Sequence, residues 1–139
     1  LRLEILNPSS PQPPIPSPSH DNDQSIALRL VYGEFSLLLT GDADQAVESD
    51  TLASSRPLSA VVYKAWHHGA KSSSGESFLW AVQPQYVIDS AGEENNYDHP
   101  HPEVLDRSAD VGAAVLRTDE LGTIEVIIDG EELWWEVRD

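Results

Sequence analysis

Two apolar runs in this chain stop abruptly on residues that can hold metal ions or move protons. Phe35-Ser36-Leu37-Leu38-Leu39-Thr40 ends in Gly41-Asp42, and the run from Ala60 to Trp66 ends in His67-His68-Gly69. A third run, Gln85 to Asp89, leads into Asn95-Asn96-Tyr97-Asp98-His99-Pro100-His101-Pro102. In an α/β sheet the ligand crevice lies outside the ends of buried strands. A carboxylate and imidazoles delivered there suit a divalent metal ion, and hence metal-assisted hydrolysis. Asp42 can bridge two cations, with Gly41 allowing a sharp turn before it. Adjacent side chains on an extended strand point to opposite sides, so one of His67 and His68 can face the metal while the other packs or supports it. The two prolines, Pro100 after His99 and Pro102 after His101, stiffen that loop and aim the rings. Asp42, His67 and His68 form the candidate catalytic group, and Asp42, His67, His68 and His99 the candidate metal ligands.

Plainer readings stand beside these. Gly41-Asp42 alone also reads as a helix N-cap, and a histidine pair as a surface or capping feature. His20-Asp21-Asn22-Asp23 reads as a polar turn, because it precedes a strand instead of ending one. Ser72, Ser73 and Ser74 lack the Gly-x-Ser-x-Gly elbow of a serine nucleophile and read as a helix N-terminus. In that position Lys71, Ser72 and Ser73 are candidates to contact a phosphate or carboxylate. Of Trp134 and Trp135, one ring is expected in the core and one at a surface or interface.

The elements that must position these residues follow from the pattern. Leu1–Leu6, Ser25–Tyr32 and Phe35–Thr40 read as strands, the last two a hairpin around Gly33-Glu34. Phe35–Thr40 is apolar on both faces, as in a covered central strand. Residues 8–24 are rich in proline and read as a loop. Helices are predicted over Asp42–Ser54, Ser73–Val82 and Pro102–Val111. Ala60–Trp66, Gln85–Asp89, Ala114–Arg117, Thr123–Ile128 and Glu132–Val137 complete the strands, the last pair turning on Asp129-Gly130 in a type I′ geometry. Helices alternating with covered strands imply a layered α/β sandwich with a mixed β-sheet.

Composition narrows the function. The 139 residues fit one domain, and a hydrophobic fraction of 40% supports a core. No apolar run approaches the roughly 20 residues that span a bilayer, and Leu1–Leu6 is too short and too charged for a signal peptide. Without Met anywhere, the chain reads as a piece of a longer product. The absence of Cys removes disulfides and thiolate ligands, leaving His, Asp and Glu to hold any metal. A formal net charge of -16 with eight basic residues argues against unaided nucleic-acid binding. Bound divalent cations would reverse the sign locally, so a phosphate substrate stays open.

Taken together, these residues resemble the C-terminal metallo-β-lactamase-like domain of the ComEC family of competence proteins. The matching pieces are Asn22 and Ser25; Leu38-Leu39-Thr40-Gly41-Asp42 with Glu48; Lys64-Ala65-Trp66-His67-His68-Gly69-Ala70-Lys71-Ser72-Ser73; Pro84 with Val87-Ile88; Asn96-Tyr97-Asp98-His99-Pro100-His101; and Arg117-Thr118-Asp119 with Gly122. The resemblance implies an αββα sandwich with two divalent ions, zinc or manganese, at the sheet edge. Asp42 would bridge them, with His99 and one or both of His67 and His68 at the second ion. It also implies a nuclease acting on single-stranded DNA, carried by a polytopic protein of the bacterial plasma membrane. The family's main metal motif, His-x-His-x-Asp-His, is not in these residues and would lie upstream of Leu1, so the chain alone is expected to be inactive. The family usually has Gly at the place of Asp98 and Ser at that of Ala70, and a small or apolar residue is expected at Asp89. The alternatives are a hydrolase of small substrates in the same fold, or a non-catalytic interaction domain that has lost its metals.

Overall fold

The computed structural model describes residues 1–8, 22–43 and 45–138. Strands β1 (Arg2–Asn7), β2 (Ala27–Tyr32) and β3 (Phe35–Leu39) form an antiparallel meander. Three parallel strands follow: β4 (Val62–Lys64), β5 (Tyr86–Asp89) and β6 (Ala114–Arg117). Helices α1 (Gln45–Ala53), α2 (Glu76–Val82) and α3 (Pro102–Asp110) make the crossovers. The strands lie in sequence order, β1-β2-β3-β4-β5-β6. Right-handed crossovers that always step the same way leave all three helices on one face, and α1 packs on α2 and α2 on α3. The mixed α/β sheet expected from the sequence is therefore present. No helix among the described residues is long and apolar enough to cross a membrane.

The core lies between sheet and helices. Leu38, Tyr63 and Val87 stand in register across β3, β4 and β5 and are fully buried. Phe78 of α2 meets Tyr63 and Trp66 with ring centroids 5.7 and 6.2 Å away. A one-turn helix α4 (Thr118–Leu121) then leads into a separate hairpin of β7 (Thr123–Ile128) and β8 (Leu133–Arg138). Its tip reaches the β2–β3 turn: a Cβ added to Gly33 would lie 3.1 Å from the Gly130 carbonyl, and Gly130 lies against the Tyr32 ring. Tyr32 points away from the helices, so the hairpin crosses the other face of the sheet, where Val62 is fully buried.

Several expectations need correction. The β3 run is apolar on both faces, yet of its apolar residues only Leu38 is enclosed, and Leu39 is 37% exposed. Register puts Leu39 on one face with Leu28, Ile5, Leu30 and Leu3, and much of that face faces solvent. The run Ala60–Trp66 is strand only over Val62–Lys64 and curls into a 3-10 turn at Trp66–Gly69. The β7–β8 connection is not a two-residue type I′ turn. Ile128 pairs with Leu133, so residues 129–132 form the loop, and the Asp129 carboxylate accepts the N–H groups of Glu131 and Glu132. Trp134 and Trp135 are 42% and 37% exposed, so neither enters the core. Residues 9–21, with His20 and Asp21, lie outside the described residues, while Asn22–Gln24 is a 3-10 turn.

Candidate functional site

Parallel pairing of Leu38 with Tyr63 and of Tyr63 with Val87 sets the C-terminal ends of β3, β4 and β5 side by side. Asp42 leaves the first end and the histidine pair the second. Gly41 serves close approach there, not a left-handed turn: an added Cβ would lie 2.6 Å from the Ser25 side chain, whose hydroxyl accepts the Asp42 N–H at 2.9 Å. Helix α1 begins only at Gln45, and the Asp42 carboxylate instead faces His68, with Oδ1 3.3 Å from Nε2.

The other side of the His68 ring fixes what this contact means. Nδ1 lies 2.6 Å from the Ser90 carbonyl oxygen. A carbonyl only accepts, so Nδ1 carries the hydrogen. In the neutral ring, Nε2 then turns a lone pair toward a carboxylate oxygen. Two acceptors at that distance need positive charge between them, either a second ring proton or a metal cation. Ligand atoms bound to one tetrahedral zinc at about 2.0–2.1 Å stand about 3.3 Å apart. The spacing of the pair is compatible with either, and the Ser90 carbonyl fixes the tautomer. Both side chains remain about half exposed, open to an incoming ion.

The strand geometry expected for the histidine pair does not hold. His67 and His68 both adopt left-handed backbone (φ 47° and 56°), and Gly69 continues the run at φ 76°. Such a conformation costs of order 1 kcal/mol or more per non-glycine residue, and surrounding bonds hold it. Trp66 N–H donates to the Tyr63 hydroxyl at 3.0 Å, and His67 N–H to the Gly41 carbonyl at 2.9 Å. His101 N–H reaches the Gly69 carbonyl at 2.9 Å, and the Ser73 hydroxyl bridges the Trp66 and Ala70 carbonyls at 2.8 Å each. Gly69 also has no room for a side chain, since a Cβ would meet Asp89 Oδ1 at 2.6 Å and Pro100 Cβ at 2.7 Å.

His67 packs edge-on against His99 with ring centroids 5.8 Å apart, and its Nδ1 is buried without a partner. Burial, reinforced by the neighbouring His67, His68 and His101, holds His99 below the usual imidazole pKa, which keeps its lone pair available. His101 is committed elsewhere, accepting Glu103 N–H as the N-cap of α3. His68 and His99 line one open cleft of about 330 Å³. The fold thus gathers Asp42, His67, His68 and His99 at one end of the sheet. Among the described residues, however, no three His, Asp or Glu side chains converge closely enough to hold a metal ion.

The predicted phosphate contacts separate. Ser73 is fully buried with its hydroxyl committed to backbone carbonyls, so it faces no ligand. Ser72 is exposed, and Lys71 is exposed in a 2.8 Å ion pair with Glu103. The turn carrying them is gripped from two helices. Buried Glu48 of α1 accepts the N–H groups of Ser74 and Gly75, while Arg107 of α3 donates to the carbonyls of Lys71, Ser73 and Ser74.

Side chains outside the predicted set support the site. Tyr63, inside an apolar run, carries the hydroxyl that joins Trp66 N–H to Ser74 Oγ at 2.9 Å. Asn95 closes its loop on both sides of its amide: Nδ2 donates to the Gly92 and His99 carbonyls, and Oδ1 accepts from Tyr97 and His99 N–H. Asp98 takes φ 55°, a left-handed conformation that the Gly expected there would adopt without strain. Asp89 is fully buried with neither carboxylate oxygen hydrogen-bonded, and burial pushes its pKa up to about 6 against the pull of Lys64 and Arg117.

Comparison with known proteins bears on this site. No protein-family profile matches the chain. It is 38% identical over 125 residues to ComE operon protein 3 of Bacillus subtilis (strain 168), covering 90% of this chain. It is 39% identical over 106 residues to Competence protein ComA of Neisseria gonorrhoeae and 35% identical over 107 residues to Recombination protein 2 of Haemophilus influenzae, each covering 76% of the chain. These relatives support a ComEC-family competence protein. The chain spans only 16%, 15% and 13% of their respective lengths. What the ComEC-family relatives share with this chain is thus one segment, and it includes the candidate site.

Proposed function

We propose that this chain is the C-terminal part of a metallo-β-lactamase-like hydrolase domain in a DNA-uptake protein, a nuclease acting on single-stranded DNA. The parent would sit in the bacterial plasma membrane through other segments. One observation carries the reading: Asp42 and the tautomer-fixed His68 bring two acceptor atoms to 3.3 Å, a spacing that a bound cation, like a second ring proton, would bridge. A bound zinc or manganese ion would lower the pKa of a water and polarise the phosphodiester. Asp42 would supply the bridging carboxylate and His68 its Nε2, with the neutral His99 and the unpartnered His67 Nδ1 beside them. The Ser90 carbonyl would hold the His68 ring in its ligating tautomer.

Calorimetric titration of the chain with Zn²⁺ or Mn²⁺ tests the site. Asp42→Ala and His68→Ala should each weaken binding by about tenfold or more. In the intact parent, Asp42→Ala should abolish cleavage of single-stranded DNA, and unchanged metal content together with unchanged cleavage would sink the reading. A second reading, a non-catalytic domain without metals, draws on the lack of a third converging ligand among the described residues. Elemental analysis of the purified parent decides between them, because the non-catalytic form carries no stoichiometric metal.

A further inference from the structure

Tyr97 is 77% exposed, the most solvent-accessible aromatic among the exposed large hydrophobics, and it stands at the mouth of the cleft it shares with His68 and His99. Its placement is built. The Asn95 carboxamide oxygen accepts Tyr97 N–H at 3.2 Å and His99 N–H at 2.9 Å, and left-handed Asp98 folds the chain back between them. The Tyr97 ring consequently stacks on His99 at 5.7 Å with planes 28° apart. The ring is thus held largely in solvent beside the candidate metal ligands.

Charge says what kind of contact is left. All eight basic side chains are engaged: Arg2, Arg29, Lys71, Arg107, Arg117 and Arg138 pair with carboxylates, and Arg56 and Lys64 donate to backbone carbonyls. On a chain of net charge -16, phosphate neutralisation by side chains cannot supply much affinity. Stacking of a nucleobase on an aromatic ring needs no cation and tolerates any base. We propose that Tyr97 is a base-stacking residue that seats one nucleobase of a single strand at the cleft mouth and sets the backbone beside Asp42 and His68. This rests on the nuclease reading and adds the part of the substrate that is grasped.

The test is fluorescence anisotropy of a labelled oligothymidylate, and of an abasic strand of equal length, with the chain. The base-bearing strand should bind with little salt dependence and the abasic strand about tenfold or more weaker. Tyr97→Ala should lose about tenfold to a hundredfold for the base-bearing strand alone, and Tyr97→Phe should keep wild-type binding. Equal binding of both strands, or an unaffected Tyr97→Ala, overturns the stacking role and leaves the nuclease reading standing. If the unmodified chain binds neither strand, stacking is overturned and the nuclease reading loses its substrate contact as well.

Discussion

At the scale of single residues, Asp89 has the clearest energetic signature. Its carboxylate is enclosed beneath Gly69 with no hydrogen-bond partner, and its pKa rises from 3.8 to about 6. A raised carboxyl pKa opposes folding wherever the unfolded chain is ionised more readily than the folded one. Below about pH 4 both states are protonated and nothing is lost. Between about pH 4 and 6 the loss grows, and above about pH 6 it is complete, of order 3 kcal/mol. Asp89→Asn should therefore raise the unfolding free energy by up to about that amount near pH 8 and leave it nearly unchanged near pH 3. Denaturant unfolding at the two pH values checks this. The sequence marked Asp89 as out of place but could not show that its oxygens lack partners, because partners come from other strands and loops.

At the scale of elements, the left-handed His67-His68-Gly69 turn decides how the site is presented. Its backbone is secured from Tyr63, whose hydroxyl accepts Trp66 N–H and meets Ser74 Oγ. Tyr63→Phe keeps the ring against Phe78 but leaves those buried groups unpaired, a cost of about 1–3 kcal/mol. The expected result is a lowered unfolding free energy and weaker metal binding, with Asp42 and His68 themselves intact. Metal affinity equal to that of the unmodified chain, measured under conditions where both are folded, would show that the turn holds itself. Strand ends were legible in the sequence because apolar runs broke off at Gly41-Asp42 and His67-His68. The turn was not, since only Gly69 advertises positive φ and two histidines do so weakly. The alternation of an extended strand does not reach the pair, because β4 ends at Lys64. The four-residue loop at Asp129 follows the same logic: the Asp-Gly pair favours a tight turn, but the Asp129 side chain instead captures two N–H groups.

At the scale of the molecule, the fold is covered unevenly. Three helices seal one face, while among the described residues the other carries only the β7–β8 hairpin, and Leu3 and Ile5 stand at 56% and 54% exposure beside Leu39. The pattern of the β3 run promised cover on both sides, and cover is a property of what packs above a strand, which the strand's own residues do not encode. A contiguous apolar area of this kind attracts hydrophobic dyes. The chain should bind anilinonaphthalene sulfonate while fully folded, and Ile5→Lys should reduce that fluorescence without lowering the midpoint of thermal unfolding. Dye binding that appears only on unfolding would mean the face is closed in solution.

The grip of Glu48 and Arg107 on the turn before α2 has a consequence for how the helical layer comes apart. One helix holds that turn by its N–H groups and another by its carbonyls, so α2 cannot detach without freeing a buried carboxylate on one side and a guanidinium on the other. Piecemeal fraying is thereby penalised, and the three crossovers are tied into a single cooperative unit. The histidine turn, riding on the same segment, persists as long as that unit does and vanishes with it.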